Sequence, residues 1–168
     1  MKGIKIEIIE YNEKYLEDVK DLLVELEEYI VSVDEDQLDR LHPEYREKMA
    51  ILDLEEVSNY RGKWYLAVEN SKAIGLIMGC ILPYDEFDYL DYKCPPTGEI
   101  TELIVTSKVR SKGVGQLLMK KMEEYFKSKN CEYIKVDVFG YNKSGIKFYN
   151  KSGYHTRMEI MFKKTIRE

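Results

Sequence analysis

The stretch from Ser107 to Phe126 holds two glycines, Gly113 and Gly115, with Arg110 three residues before the first of them. An amphipathic helical pattern begins where the glycines end. The start of a helix exposes backbone N–H groups and the positive end of the helix dipole, and glycine lets an anion approach the backbone because it has no Cβ atom. The stretch therefore predicts a phosphate-binding turn. The alternative is that the two glycines only form a tight turn.

Other phosphate-binding motifs fit this turn less well. A Walker motif requires a glycine, four residues and then Gly-Lys-Ser/Thr, and the chain has no such run. A dinucleotide-binding fingerprint requires a third glycine near Leu118, where none occurs. No residues that would hold Mg²⁺ stand beside the glycines, so a nucleotide-binding protein is the least favoured interpretation.

The elements that must position this turn follow from hydrophobic periodicity. Strand patterns occur at 4–11, 64–70, 73–83, 99–106, 133–139 and 154–166, and helical patterns occur at 14–30, 34–60, 114–126 and 143–152. The segment 34–60 is predicted to form one or two helices, and 84–98 a loop. In the last strand, the pattern predicts Tyr154, Met158, Ile160 and Phe162 on the inward face. These elements predict an α/β (α+β) fold with a mixed sheet.

Composition limits the class of protein. A chain of 168 residues suits one domain, predicted to span 1–168. The formal net charge of -5 argues against nucleic acid as a partner. Cys80, Cys94 and Cys131 lie far apart and form no CxxC pair, which argues against a disulfide framework or a metal site and favours the cytoplasm. No run is apolar enough to predict a membrane span.

The stretch ITELIVTSKVRSKGVGQLLM resembles the central motif of the GNAT superfamily of acyl-CoA-dependent N-acetyltransferases, in which a strand and a short loop lead to Q/R-x-x-G-x-G/A at the start of a helix. The matching residues are Leu103, Val105, Arg110, Gly113 and Gly115. A second match lies further along the chain and keeps the family's order: Asn142, Phe148, Tyr149, Gly153 and Tyr154. The order of elements, β-α-α-β-β-β-α-β-α-β, also agrees. The resemblance implies a mixed, mostly antiparallel central sheet flanked by helices.

The resemblance also implies a site for acetyl-CoA, whose diphosphate the backbone of the turn would hold and whose arm would pair with the preceding strand. A backbone N–H near Ile104 or Val105 would polarise the thioester carbonyl. Asn142 would bond the arm, cap the next helix, or do both. The residues implied in co-substrate binding are Leu103, Ile104, Val105, Arg110, Ser111, Lys112, Gly113, Val114, Gly115, Gln116, Asn142 and Tyr149.

The implied chemistry is acetyl transfer to a primary amine, by direct attack with help from a general acid and a general base. Tyr149 matches the family tyrosine that faces the sulfur, so it is the predicted acid, with a core aromatic as the alternative. Glu99 is the first candidate for the base, and Glu102 is the second. Because they are three positions apart, a regular strand would direct them to opposite faces unless a bulge intervenes. Either could instead be an ordinary hydrogen-bonded strand acid.

The acceptor is predicted to be a small cationic amine, a protein lysine or an N-terminus. Acidic residues in 31–45 and 84–93 could attract it, and nearby tyrosines could pack against it, although acidic loops also simply keep proteins soluble. These residues are Asp34, Glu35, Asp36, Asp85, Glu86, Asp88 and Asp91, with Tyr84, Tyr89 and Tyr92. The alternative function is a non-catalytic acyl-CoA-binding sensor or scaffold. A homodimer is a possible assembly.

Overall fold

A computed structural model describes residues 6–109 and 112–165. Five strands form one sheet in the order β1-β2-β3-β4-β5. The strands are β1 (Glu7–Glu10), β2 (Lys63–Glu69), β3 (Lys72–Cys80), β4 (Thr97–Val105) and β5 (Tyr133–Val136). The helices are α1 (Leu16–Val33), α2 (Tyr45–Asn59), α3 (Asp88–Asp91), α4 (Val114–Ser128) and α5 (Lys143–Lys151). Neighbouring strands are antiparallel from β1 to β4, and β5 is parallel to β4. The predicted mixed, mostly antiparallel sheet with flanking helices is therefore confirmed.

The two faces of the sheet carry separate hydrophobic cores. On one face, α4 contributes Leu118, Met122 and Phe126, all fully buried. On the other face, α1 contributes Val19 and Leu23 alongside residues of α2. Because β2 and β3 are covered on both faces, their sequences are continuously apolar rather than alternating. The sheet is thus a rigid middle layer on which the two sides of a site can be built.

The segment between α1 and α2 is irregular, so the acidic stretch 34–60 yields one helix. Asp34 is buried, and its carboxylate accepts hydrogen bonds from the backbone N–H groups of Asp36, Leu38 and Asp39 at 2.5–2.9 Å. These bonds fold the segment back on itself and hold the pKa of Asp34 below its usual value, although burial opposes them. Asp34 therefore has a structural role.

The prediction of a last strand at 154–166 is wrong over the residues described. Residues 154–165 have no regular secondary structure. Three of the residues predicted to face inward are largely exposed: Met158 and Ile160 at 77% and Phe162 at 72%. Alternation produces a strand only where a sheet edge supplies hydrogen bonds, and β5, which ends the sheet on one side, is only four residues long. Instead, the Arg157 guanidinium donates to the Tyr92 hydroxyl at 3.0 Å.

Within the described residues, no helix is long and apolar enough to cross a membrane.

Candidate active site

β4 and β5 separate part-way along the sheet. Their pairing ends at Ile100 and Val136, although β4 continues to Val105. β5 ends at Val136, so the predicted strand at 133–139 is shorter than expected. A pocket of about 290 Å³ opens where the strands separate. Its lining comes from α1, the α1–α2 segment, α2, β4, the chain after β5, and α5: Leu26, Glu27, Ile30, Asp39, Tyr45, Met49, Ile100, Thr101, Glu102, Leu103, Val136, Asp137, Val138, Phe139, Asn142 and Tyr149.

A bulge in β4 at Thr101 decides which side chains reach this pocket. Met78 pairs with Glu102 and Gly79 pairs with Ile100, so Thr101 has no partner in the register with β3. Glu99 pairs with Cys80, which is two residues from Met78 and therefore on the same face of β3. Because directly opposed residues share a face, the bulge puts the two glutamates on the α1/α2 face together. A regular strand would have separated them.

Glu102 and Tyr149 both line this pocket, and the charge of Glu102 acts on Tyr149. Burial, followed by the charges of Asp53, Glu27 and Glu56, raises the pKa of Glu102 to about 8. Burial and the charge of Glu102 raise the pKa of Tyr149 to about 12. Near neutral pH the pocket therefore combines a carboxyl group with a pKa close to the working range and a phenol that keeps its proton.

Glu99 occupies a different environment from Glu102. It does not line the pocket, and its Oε2 lies 2.9 Å from the Nζ of Lys135, its partner in the β4–β5 register. The two groups form an ion pair at the closed end of the strand pair. The geometry therefore favours Glu102 over Glu99 as the group that meets a bound acceptor.

The helix start at Gly113 has the backbone expected of an anion-binding turn. Gly113 is the N-cap of α4 and adopts a left-handed conformation with φ 78°. Among the described residues, a Cβ atom there would meet only the Gln116 Oε1, at 4.0 Å, so none of these residues closes the space above the helix start. Val114 is buried, so only its backbone is available to a ligand. Lys112 is exposed beside the turn, while Arg110 and Ser111 lie outside the described residues.

Gly115 has a packing role that the sequence did not indicate. A Cβ atom at this position would lie 3.2 Å from the ring of Phe148, so the absence of a side chain lets α5 pack against the first turn of α4. That contact fixes α5, and with it Tyr149, relative to the helix start. Gly115 therefore connects the two halves of the candidate site.

The alternative role of Asn142 as an N-cap is confirmed. Its Oδ1 accepts hydrogen bonds from the Gly145 N–H at 2.8 Å, the Tyr29 hydroxyl at 2.9 Å and the Ser144 hydroxyl at 3.1 Å. The bond from Tyr29 ties α1 to the start of α5 across the pocket. With its oxygen engaged in this way, Asn142 could offer a ligand only its amide NH₂ group.

The pocket contains other acidic residues than those named from the sequence as candidates to attract an acceptor. None of the acidic or aromatic residues proposed in 31–45 and 84–93 lines the pocket, and Asp85 and Asp88 instead bond backbone N–H groups of their own loop. The pocket is lined by Glu27, Asp39 and Asp137, which were missed. One signal existed for Glu27, because it falls four residues after Leu23 and three before Ile30, at the edge of the apolar stripe of α1.

A further carboxyl group lies behind Glu102. Asp53 is only 4% exposed, and its Oδ2 has no hydrogen-bond partner among the described residues. Burial and the charge of Glu56 raise the pKa of Asp53 to about 7. Because the folded state holds this proton more tightly than the unfolded chain, Asp53 contributes most to stability below about pH 4, and that contribution is lost as pH rises through 7.

Asp53→Asn should therefore stabilise the protein at alkaline pH. We expect the free energy of unfolding to rise by about 2–4 kcal/mol at pH 8 and to change little at pH 4, because asparagine resembles the protonated acid and cannot ionise. Urea unfolding at both pH values measures the effect. The matched control is Glu55→Gln, an exposed acid on the same helix, and an equal gain at both pH values would contradict the assignment.

Comparison with known proteins agrees with this arrangement. The model of the acetyltransferase (GNAT) family matches residues 23–154. The chain therefore belongs to the GNAT family and is an acetyltransferase by family. No curated protein sequence matches it.

Solved structures share the fold at low sequence identity. A single-site mutant of the BH1408 protein from Bacillus halodurans has a TM-score of 0.82 at 18% identity, covering 95% of this chain and 99% of that one. A putative acetyl transferase from Pyrococcus furiosus has a TM-score of 0.69 at 24% identity, with coverage of 95% and 99%. The aminoglycoside N-acetyltransferase AAC(6')-Iy in complex with CoA has a TM-score of 0.70 at 17% identity, with coverage of 98% and 97%.

Proposed function

We propose that this chain transfers the acetyl group of acetyl-CoA to a primary amine. The observation that carries the proposal is the pocket between the separated ends of β4 and β5, where Glu102 and Tyr149 lie together. Family membership supports the acetyl transfer, and the structural neighbour solved with CoA supports the choice of co-substrate. A second structure of AAC(6')-Iy, with a TM-score of 0.69 and 15% identity, holds a bisubstrate analogue that joins CoA to monomethyl-acetylneamine, which supports an amine acceptor.

The described residues fit acetyl-CoA at two places. The first place is the start of α4, whose backbone suits a diphosphate. It comprises Lys112, Gly113, Val114, Gly115 and Gln116. We assign Arg110 and Ser111 to the same turn on the family motif alone. The edge of β4 at Leu103 and Ile104 lies past the end of its pairing with β5, which suits the co-substrate's arm, with the backbone at 104–105 next to the thioester. We also assign the NH₂ group of Asn142 to the arm.

In this proposal two side chains move protons. Acetyl-CoA supplies the acetyl group as a thioester, whose carbon bonds to the amine nitrogen as its bond to sulfur breaks. Glu102 takes the proton that the bound ammonium group must lose before its nitrogen can attack, either directly or through water, and the nitrogen releases its second proton to solvent as the amide forms. Tyr149 donates its phenolic proton to the departing thiolate and regains one from solvent. Glu99, ion-paired with Lys135, holds β4 against β5.

Free-thiol release tests the proposal. A panel of primary amines is incubated with the protein and acetyl-CoA, and the acetylated product is identified by mass spectrometry. We expect thiol release that depends on an amine. Tight binding of acetyl-CoA without turnover on a broad panel would instead support the non-catalytic acyl-CoA-binding module.

The diphosphate assignment predicts the effect of a side chain at Gly113. Valine would be strained at φ 78° whatever the ligand, so the informative variant is Gly113→Asn, because asparagine tolerates this conformation. We expect KM for acetyl-CoA to rise about tenfold or more, since the side chain would enter the open space and displace charge-assisted hydrogen bonds. Steady-state kinetics at saturating amine measure the change.

Gly153→Asn is the matched control for this variant. Gly153 has φ 91°, and no described residue lies within 4 Å of a Cβ atom built on it, but it follows α5 rather than preceding α4. The Gly153→Asn variant should have a KM for acetyl-CoA within about twofold of wild type. An unchanged KM in Gly113→Asn, or equal increases in both variants, would show that this turn does not bind the diphosphate.

A further inference from the structure

The acceptor side of the pocket is acidic and lacks compensating charge. Of the residues that line it in the described part of the chain, four carry carboxylates and none is Lys, Arg or His. The four are Glu27, Asp39, Glu102 and Asp137. No ion pair joins any of them to a basic side chain within residues 6–109 and 112–165. The carboxyl groups of the pocket are therefore available to pair with a cationic ligand, which would favour their ionised forms.

The outer surface of the same helices shows the opposite arrangement. Arg46 of α2 pairs with Asp21 and Glu17 of α1 at 2.8 and 2.9 Å. Lys20 pairs with Glu47 at 2.6 Å. The acids on the outside of the α1–α2 pair are thus paired with basic side chains, whereas the acids that line the pocket are not.

The buried Asp53 is a further polar group that has no partner near Glu102. It is 4% exposed, and its Oδ2 has no hydrogen-bond partner among the described residues. Asp53 follows Met49 and Tyr45 at four-residue intervals on α2, so the three share the helix face that meets the pocket. Among the charges that act on Glu102, that of Asp53 is the largest. Its carboxyl group therefore lies close to Glu102, although Asp53 does not itself line the pocket.

The spacing of these acids suits an extended organic cation better than a metal ion. No three His, Cys, Asp or Glu side chains in the described residues are close enough together to hold a metal. Apolar side chains of Leu26, Ile30 and Met49 lie among the carboxylates in the lining. A ligand that matches this surface has separated positive charges joined by methylene groups.

We propose that the acceptor is a diamine, with one nitrogen reacting between Glu102 and Tyr149 and the other bound as an ammonium group by Glu27 and Asp39. The methylene chain packs on Leu26, Ile30 and Met49. This inference rests on the proposed amine acetyltransferase function and adds the second ammonium site to it. The bonds made and broken, and the path of each proton, are those of the proposed reaction.

Putrescine and n-butylamine are the probes, because they share one carbon chain and differ by a single amino group. We expect kcat/KM for putrescine to exceed that for n-butylamine by about tenfold or more, the effect of one charge-assisted interaction. Glu27→Gln and Asp39→Asn should each lower this ratio several-fold. Glu28→Gln removes the adjacent, exposed acid of α1 and should keep the wild-type ratio.

Calorimetric titration of both amines in the presence of CoA separates this inference from the proposed function. If no amine is acetylated, the proposed function fails, and the diamine site is then judged by binding alone. Tighter binding of putrescine than of n-butylamine, weakened in Glu27→Gln and Asp39→Asn, supports the site. Equal binding or equal kcat/KM for the two probes overturns it, and so does a ratio that both variants retain.

Discussion

Glu102→Gln is expected to lower kcat/KM for the amine about a hundredfold below pH 8 and to recover much of that loss by about pH 10. Glutamine keeps the shape of the side chain but cannot accept the proton of the ammonium group. The variant then depends on amine that arrives neutral, which is scarce far below the amine pKa of about 10.4. Rates over a pH series with one amine measure the change.

The pKa of Glu102, raised to about 8, determines where the recovery begins. Below that pH, the wild-type rate follows ionised Glu102 and the variant rate follows neutral amine, so both fall in parallel and their ratio is constant. Above it, wild type levels off while the variant continues to rise. Glu99→Gln is the matched control, and its kcat/KM should not approach the wild-type value as pH rises. If kcat/KM recovers at high pH in Glu99→Gln instead of Glu102→Gln, Glu99 is the base.

Tyr149→Phe should lower kcat about a hundredfold while KM for acetyl-CoA changes little. Phenylalanine keeps the ring, which packs edge-on against Phe148 with centroids 5.4 Å apart, but it has no proton to give the departing thiolate. Because burial and the charge of Glu102 raise the pKa of Tyr149 to about 12, it stays protonated through the assay range. Loss of the phenol should therefore lower the rate by the same factor at every pH. The change of slope near pH 8 should stay at the same pH.

Tyr154→Phe is the control for this second variant. Tyr154 packs against Tyr149 with centroids 5.8 Å apart and has a buried hydroxyl, yet it does not line the pocket. The Tyr154→Phe variant removes a hydroxyl group from the ring next to Tyr149 and should leave kcat within about threefold of wild type. An unchanged kcat in Tyr149→Phe would make Tyr149 a packing residue or show that solvent protonates the thiolate.

The parts of the fold that the sequence predicted are those that depend on local pattern. The apolar stripe of α1, the continuous apolar strands β2 and β3, and the glycine at the start of α4 each have one physical explanation within a short window. The site required more, because the relation between Glu99 and Glu102 depends on the bulge at Thr101. That bulge is a property of the pairing between β3 and β4, which no single strand sequence records.

The acceptor side was missed for a similar reason. Glu27, Asp39 and Asp137 come from three separate segments and meet only because α1, the α1–α2 segment and the chain after β5 converge on one opening. Among the acidic residues that are close together in sequence, Asp34, Asp85 and Asp88 instead accept hydrogen bonds from backbone N–H groups of their own segments. Three expectations from the sequence stay predictions: a single domain over 1–168, a cytoplasmic location and a homodimer.

The exposed segment after α5 has a consequence for handling the protein. Met158, Ile160, Met161 and Phe162 form a short exposed stretch that is apolar except for Glu159. Arg157 precedes the run, and Lys163 and Lys164 follow it. Such flanking charges act as gatekeepers against intermolecular stacking, and salt weakens their repulsion. The colloidal stability of this acetyltransferase should therefore be best in dilute buffer and poorest in concentrated salt.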